Sequence, residues 1–156
     1  MDRFPMTPAG LKKLEAELKK LREVDRPSNI QAIEEARAHG DLSENAEYKF
    51  AKEQQSFIAG RIAHVEERIS RAEVIDPSRL KGDRVVFGAR VSLENLDSGE
   101  QVVYRIVGED EADLDVGTIS VTSPIARGLI GKEEGDEVAI TTPAGRRSFE
   151  ITSVEF

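Results

Sequence analysis

Two stretches of the chain repeat apolar residues at spacings of three and four, and a short acidic turn at residues 40–48 separates them. The first stretch contains Leu11, Leu14, Leu18 and Leu21, and the second contains Ile58, Ile62, Val65, Ile69 and Ala72. This spacing is typical of the apolar seam between two helices of a coiled coil. Because so few residues join the two stretches, we expect antiparallel helices that form a hairpin, with the acidic turn at its tip.

Signals for the start and end of helices support the hairpin. Thr7 and Pro8 are typical of the first turn of a helix, and Gly40 is typical of a left-handed C-terminal cap. Pro27 interrupts the first arm, since a proline inside a helix loses one backbone hydrogen bond and clashes with the preceding turn. We expect a kink or short break there and not the end of the arm, because helical spacing resumes afterwards. The second arm is expected from about residue 43 to residue 74.

Beyond Gly82 the apolar residues alternate with a period of two, which indicates strands. Five strands are expected, at residues 84–93, 101–107, 117–122, 136–142 and 148–154. Ser123 and Pro124 are expected to begin a short helix between the third and fourth strands. The fold class is therefore α+β, with a hairpin domain at residues 1–76, a linker at 77–83 and a mostly antiparallel domain at 84–156.

Composition limits the compartment and the chemistry of the chain. At 156 residues it has room for one ordinary domain or two small ones, and it contains no cysteine. The absence of cysteine excludes disulfides, cysteine-ligated zinc and a cysteine nucleophile, and it favours a cytoplasmic protein. The first residues lack the apolar run of a signal peptide, and no segment reaches a membrane-spanning length, so no membrane partner is expected.

The negative charge is concentrated in the second half of the chain. Residues 1–75 contain 13 Lys and Arg against 14 Asp and Glu, whereas residues 76–156 contain 9 against 16. A body with a net charge of −7 disfavours the binding of nucleic acid through its phosphates. Such a body is better suited to docking on a basic protein surface, so that any nucleic acid would be brought by a protein partner.

The acidic turn allows two interpretations of Asp41 and Glu44. Their spacing forms a capping box, in which Asp41 accepts from the backbone amide of Glu44 and the Glu44 side chain reaches back. Carboxylates one helical turn apart can instead share a divalent cation. Because Mg²⁺ prefers about six oxygen ligands, two carboxylates would form only part of such a site, and a partner would have to complete it.

Basic and aromatic residues surround the acidic turn. Arg37, Lys49 and Lys52 are either solvated charges on the helix faces or a group that steers a phosphate backbone. Tyr48, Phe50 and Phe57 are interpreted as packing at the head of the hairpin and not as platforms on which bases stack. The residues alone leave both interpretations of the basic group open.

Several blocks of residues closely resemble the signature of the GreA/GreB family of bacterial transcript cleavage factors. The tip block is Gly-Asp-Leu-Ser-Glu-Asn-Ala-Glu-Tyr at residues 40–48, followed by Ala-Lys-Glu-Gln-Gln at 51–55. Similar blocks recur in order through the second half, at residues 86–89, 104–108, 119–121 and 123–132. The resemblance spans nearly the whole chain, and it is closer to the GreA branch of the family than to the GreB branch.

The resemblance implies a fold and a partner. The fold is an N-terminal antiparallel α-helical coiled-coil hairpin plus a C-terminal antiparallel β-sheet domain with one short helix, similar to the FK506-binding protein. The C-terminal domain would dock at the rim of the secondary channel of bacterial RNA polymerase, and the hairpin would enter the channel. The factor, a monomer, would stimulate the polymerase's own Mg²⁺-dependent cleavage of backtracked nascent RNA and would not itself be an enzyme.

The resemblance also implies roles for individual residues. Asp41 and Glu44 would be donated to the polymerase active centre, where they share a Mg²⁺ ion that the factor alone does not bind. The residues implied to contact RNA or the channel wall are Arg37, Lys49 and Lys52. The residues implied to support the tip are Gly40, Leu42, Asn45 and Tyr48. The segment that resembles the polymerase-docking surface consists of Ser123, Pro124, Ile125 and Ala126.

Three other functions are weighed against this one. A class of relatives shares the fold but inhibits the polymerase, and carries a more crowded acidic tip. A peptidyl-prolyl isomerase would share the C-terminal fold, but its pocket is usually lined by aromatic residues, of which residues 76–156 contain only four. A passive coiled-coil adaptor would not need the carboxylates at the tip.

Overall fold

The computed structural model of the protein describes residues 2–41 and 45–156. It divides into two compact units, of which the first is Lys12–Arg71 and the second is Ala72–Phe156 with the residues up to Leu11. The first part of the chain forms helices α1 (Pro8–Lys20), α2 (Arg26–Ala38) and α3 (Ala46–Ser70), with a π-turn (Leu21–Asp25) between α1 and α2. In the described residues, no helix is both long and apolar enough to cross a membrane.

The two arms of the hairpin run antiparallel, as the sequence predicts. Glu17 on α1 contacts Arg61 on α3, whereas Asn29 on α2 contacts Ala51, so later residues of one arm meet earlier residues of the other. The buried apolar side chains of the seam are Leu14, Leu21, Ile33, Ala36, Ala51, Ile58, Ile62 and Val65. Removal of this surface from water is the main force that holds the arms together.

The π-turn is the form that the expected break near Pro27 takes. Proline has no backbone N–H, so Pro27 cannot donate to the carbonyl one turn earlier. Just before it, the Arg26 amide donates to the Leu21 carbonyl, five residues back, in place of the usual four. The arm therefore continues past the proline with one wider turn.

The wider turn also moves the seam by one residue. Counting seven residues at a time from Leu21 leads to Ser28 and Glu35, which are exposed. The buried residues are instead Asn29 and Ala36, each one position later. The wider turn therefore places the polar side chain of Asn29 in the seam, where strict heptad spacing predicts Ser28.

A pair of short strands belongs to the second unit. Strand β1 (Phe4–Met6) pairs in parallel with strand β2 (Ala72–Val74), and the Ile75 amide donates to the Met6 carbonyl at 2.8 Å. Residues 4–11 therefore group with residues 72–156, which differs from the predicted hairpin domain of residues 1–76. A strand of three residues has no recognisable period, and its partner lies far along the chain, so sequence patterns do not reveal this pairing.

Five strands form the main sheet of the second unit. They are β3 (Arg90–Asn95), β4 (Gln101–Val107), β5 (Thr118–Ser120), β6 (Glu137–Thr142) and β7 (Gly145–Glu155), in the spatial order β5-β4-β3-β7-β6. All neighbouring pairs are antiparallel except β4 and β5. The first predicted strand, 84–93, is shorter than expected, because Gly88 adopts a left-handed φ of 89° that interrupts an extended chain.

The short helix α4 (Pro124–Leu129) packs into the core of this unit. The fully buried side chains at its centre include Val91, Leu93, Ile106, Leu129 and Ile151. Alternate residues of β3 and β4 face the other way, since successive side chains of a strand point to opposite faces. The mostly antiparallel α+β architecture predicted from the sequence is confirmed.

Candidate functional site at the hairpin tip

Helix α2 ends at the tip with a glycine cap. The amides of His39 and Gly40 donate to the carbonyls of Ala36 and Arg37, both at 3.2 Å. Gly40 has a φ of 104°, which a residue with a Cβ rarely adopts. The chain can therefore reverse at the position where the sequence predicts a C-terminal cap.

Helix α3 begins with Asn45 as its N-cap. The Asn45 Oδ1 accepts from the Tyr48 amide at 3.0 Å, which satisfies one of the free amides of the first turn. The first helical residue is Ala46, so the predicted start near Ser43 is a few residues early. The predicted hydrogen bond between Asp41 and Glu44 lies outside the described residues, but the N-cap position of α3 belongs to Asn45 and not to Asp41.

Asn45 also joins the two arms. Its Nδ2 donates to the Ala36 carbonyl in the last turn of α2 at 2.7 Å, while its Oδ1 caps α3. Beside it, the Arg37 guanidinium carbon lies 5.9 Å from the centre of the Tyr48 ring, which is within the range of a cation–π contact. One amide side chain and one cation–π pair thus join the last turn of α2 to the first turn of α3.

The charged groups of the tip are exposed. The described carboxylate of the predicted metal pair, Asp41, is exposed, while Leu42 and Glu44 lie outside the described residues. The Nε2 atom of His39 lies 4.0 Å from a carboxylate oxygen of Glu47, and both side chains are exposed. Lys49 and Lys52 lie on the exposed side of α3, where the Lys52 Nζ donates to the Gln55 Oε1 at 2.8 Å. Both signs of charge are therefore available to a partner at this end of the hairpin.

The donor chemistry of the tip suits a hard cation, but the set is incomplete. A carboxylate oxygen such as that of Asp41 is the ligand type that Mg²⁺ prefers. Within residues 2–41 and 45–156, no group of three or more histidine or acidic side chains is placed to hold a metal ion. Asp41 can therefore be only one of several Mg²⁺ ligands, and further oxygen ligands would have to come from beyond the described residues.

Polar contacts further along the hairpin were not predicted from the sequence. Asn29 is only 8% exposed, and its Nδ2 donates to the Ala51 carbonyl at 2.9 Å. Arg61 donates to both carboxylate oxygens of Glu17, at 2.5 and 2.9 Å. The hydrogen bond and positive charge of Arg61 hold the pKa of Glu17 below its ordinary value. Strict heptad spacing places Ser28 in the seam, so no periodic signal in the sequence points to the contact of Asn29.

The predicted docking segment is divided between surface and core. The Ser123 Oγ accepts from the Ala126 amide at 3.2 Å and caps α4, and Pro124 is exposed. Ala126 is fully buried, so its assignment to the docking surface is corrected: its methyl group packs in the core because it lies on the inner side of α4. Ser123, Pro124 and Ile125 remain available to a partner.

These three residues line an open groove of about 330 Å³, called here the α4 groove. Its other lining residues include Leu114, Thr118 and Pro143. The lining contains no aromatic residue, and the four aromatic side chains of residues 76–156 pack in or against the core instead. The α4 groove therefore lacks the aromatic walls expected of a prolyl isomerase pocket.

Comparisons with known proteins match both halves of the chain. The family pattern described as "Transcription elongation factor, N-terminal" matches residues 4–74, and that described as "Transcription elongation factor, GreA/GreB, C-term" matches residues 80–156. "Transcription elongation factor GreA" of Anaeromyxobacter sp. (strain K) is 62% identical over 156 residues, which cover 100% of this chain and 94% of that protein. The protein of the same name from Hyphomonas neptunium is 58% identical and is covered to 99%.

A similarity to a solved structure spans the same length. The crystal structure of GreA factor homolog 1 (Gfh1) of Thermus thermophilus covers 99% of each chain, with 28% identity and a TM-score of 0.45.

Proposed function

The chain belongs to the GreA/GreB family of transcription elongation factors, and we propose that it stimulates transcript cleavage by carrying the carboxylates of Asp41 and Glu44 into the active centre of bacterial RNA polymerase. The partner that completes the metal site is then the polymerase itself. The route is the secondary channel, which the hairpin enters tip first. The protein supplies ligands to a reaction that the polymerase catalyses.

The geometry of the tip supports this proposal. From Lys12 to Ala38 the arm has about 27 residues, which corresponds to roughly 40 Å at the helical rise. Asp41 lies exposed at the end of this arm, and Asn45 takes the N-cap position of α3 that the alternative interpretation assigned to the acidic pair. The single observation that carries the proposal is this separation of the helix cap from the acidic residue.

The chemistry follows from what the residues can hold and orient. A pair of metal ions stabilises the attacking and leaving oxygens when a phosphodiester is hydrolysed. Asp41 and Glu44 would help to hold the second Mg²⁺ ion, and the polymerase carboxylates and the RNA would supply its other ligands. Arg37, Lys49 and Lys52 would attract the backbone of the extruded RNA and keep it near the carboxylates.

Docking would use the second unit. The exposed part of the α4 groove, with Ser123, Pro124 and Ile125, is proposed to contact the rim of the channel. The net charge of −7 in residues 76–156 favours a basic surface and disfavours free nucleic acid, so RNA is contacted only inside the complex. The factor is proposed to act as a monomer in the cytoplasm, and it binds Mg²⁺ only together with the polymerase.

The test is transcript cleavage in a backtracked complex of bacterial RNA polymerase with end-labelled RNA and Mg²⁺. The native protein is compared with Asp41→Asn, Glu44→Gln and the double variant. The control is Asp97→Asn, which removes the same charge from an exposed turn of the second unit. We expect each tip variant to lose stimulation by about 100-fold or more, the scale seen when a group that stabilises transition-state charge is removed.

Binding and folding are measured alongside cleavage. Each tip variant should compete for the polymerase as well as the native protein does, because docking uses other residues. Tip variants that cleave normally would refute the role as metal ligands. A loss of thermal stability worth about 0.5–2 kcal/mol, with cleavage unchanged at saturating protein, would indicate a helix cap instead. Slower cleavage with the native protein than without it would place the chain with the inhibitory relatives.

A further inference from the structure

Two arginines lie side by side on the outer face of the main sheet. Arg90 on β3 and Arg105 on β4 are directly opposite in the antiparallel register, so their side chains share one face. Both line an open notch of about 320 Å³, called here the arginine notch. Its lining residues are Arg90, Val103, Arg105, Val116, Gly117 and Thr118.

Strand pairing does not favour this pair of arginines. Like charges directly opposite in a sheet repel each other and weaken the strand pairing. Glu155 is the register partner of Arg90 on the other side, yet neither guanidinium has an ion pair among the residues that the structure describes. Arg105 makes one long hydrogen bond, from Nη1 to the Gly88 carbonyl at 3.3 Å. Residues 76–156 carry a net charge of −7, and two neighbouring cations among them without an ion pair in the described residues suggest an anion from outside.

We propose that the arginine notch binds a carboxylate side chain of RNA polymerase. This inference rests on the proposed function and adds a second contact to the α4 groove. Guanidinium groups bind carboxylates through paired N–H donors, and two of them side by side can hold one carboxylate from both sides. The notch thus selects a partner residue by charge and by geometry.

The walls of the notch favour protein over nucleic acid as the source of the anion. Val103 and Val116 are 42% and 73% exposed, so an aliphatic side chain beside the carboxylate would gain buried apolar contact. A phosphate backbone has no comparable apolar group, and the acidic unit repels a chain of phosphates. A single carboxylate on an otherwise basic protein surface satisfies both conditions.

The notch is continuous with the proposed docking surface. Thr118 lines both the arginine notch and the α4 groove, so one strand, β5, separates the two. A partner seated in the α4 groove therefore lies about one strand's width from the notch. Because the α4 groove and the arginine notch are adjacent, we assign the polymerase as the occupant of both.

The test compares the affinity of Arg90→Gln for polymerase core enzyme with that of Arg146→Gln. Arg90 is exposed, so its replacement leaves the core intact. Arg146 is the control, because it is an exposed arginine on β7 outside the notch and its replacement changes the net charge by the same amount. We expect Arg90→Gln to bind about fivefold more weakly at low salt, the upper range for an exposed ion pair, and the difference to shrink as salt rises. Arg105→Gln should weaken binding similarly, and Arg90→Gln should keep or exceed the native melting temperature.

The outcomes separate this inference from the proposed function. If Arg90→Gln and Arg146→Gln bind the polymerase equally well and cleavage still depends on Asp41, the proposal for the arginine notch is refuted and the proposed function stands. A loss that appears only with a nucleic-acid-loaded complex overturns the carboxylate in favour of a phosphate. If Arg90→Gln lowers the melting temperature markedly, the arginine pair is structural and the inference fails. Failure of the native protein to bind polymerase refutes both proposals.

Discussion

Replacing Gly10 with alanine should destabilise the protein, although glycine is the weaker helix former. Gly10 lies in the first turn of α1, where an alanine normally stabilises a helix by up to about 1 kcal/mol. Here an added Cβ would lie 2.5 Å from a carboxylate oxygen of Glu111. Such a contact is impossible, so the carboxylate must move away.

The cost of that movement can be estimated from what Glu111 holds. Its carboxylate accepts from the Thr7 amide at 2.9 Å, from the Thr7 hydroxyl and from the Gly108 amide at 3.1 Å. Hydrogen bonds to a charged group contribute about 1.5–3 kcal/mol each, and water recovers part of the loss because Glu111 is only half-buried. A loss of about 2–3 kcal/mol, less the gain in helix propensity, leaves the Gly10→Ala protein less stable by about 1–2 kcal/mol.

The assay is a double-mutant cycle in urea, followed by circular dichroism. The four proteins are the native chain, Gly10→Ala, Glu111→Ala and the double variant. In the Glu111→Ala background the space beside Gly10 is open, so Gly10→Ala should now stabilise, by about 0.5–1 kcal/mol. The sign of the effect therefore reverses between the two backgrounds. If Gly10→Ala changes stability equally in both, the carboxylate is not the cause and the reasoning is refuted.

Three further changes test the hairpin. Asn29→Leu should raise the free energy of unfolding by about 1 kcal/mol, because leucine buries more apolar area and the Ala51 carbonyl keeps its hydrogen bond within the helix. A lower midpoint of unfolding in urea would contradict this. Asn45→Ala should cost about 1 kcal/mol in thermal unfolding, and Asn45→Ser should restore most of it unless the bond to α2 dominates. Arg61 lowers the pKa of Glu17 below 4.5, so the pair stabilises the folded protein above about pH 4.5, and this contribution is lost on further acidification. The Glu17→Gln protein should not show this loss. Identical stability–pH curves for the two proteins would show that the pair contributes nothing.

Local signals predicted the elements of the fold well. The apolar spacing predicted both arms, Gly40 marked the end of α2, and Ser123 with Pro124 marked the start of α4. Each of these depends on hydrogen bonds or side chains within a turn or two of the chain. The N-cap of α3 was placed early because the tip block contains several residues with capping side chains, and only the backbone conformation selects Asn45 among them.

The sequence by itself determined that the chain forms a helical hairpin with an acidic tip and a separate acidic β domain, since periodicity, turn residues and charge are properties of neighbouring residues. Only the tertiary structure decided which distant groups meet. The pairing of β1 with β2 and the carboxylate of Glu111 at the start of α1 join residues far apart along the chain, and the opposition of Arg90 and Arg105 depends on the register of two strands. Such contacts depend on strand register and packing, which no local pattern of residues specifies.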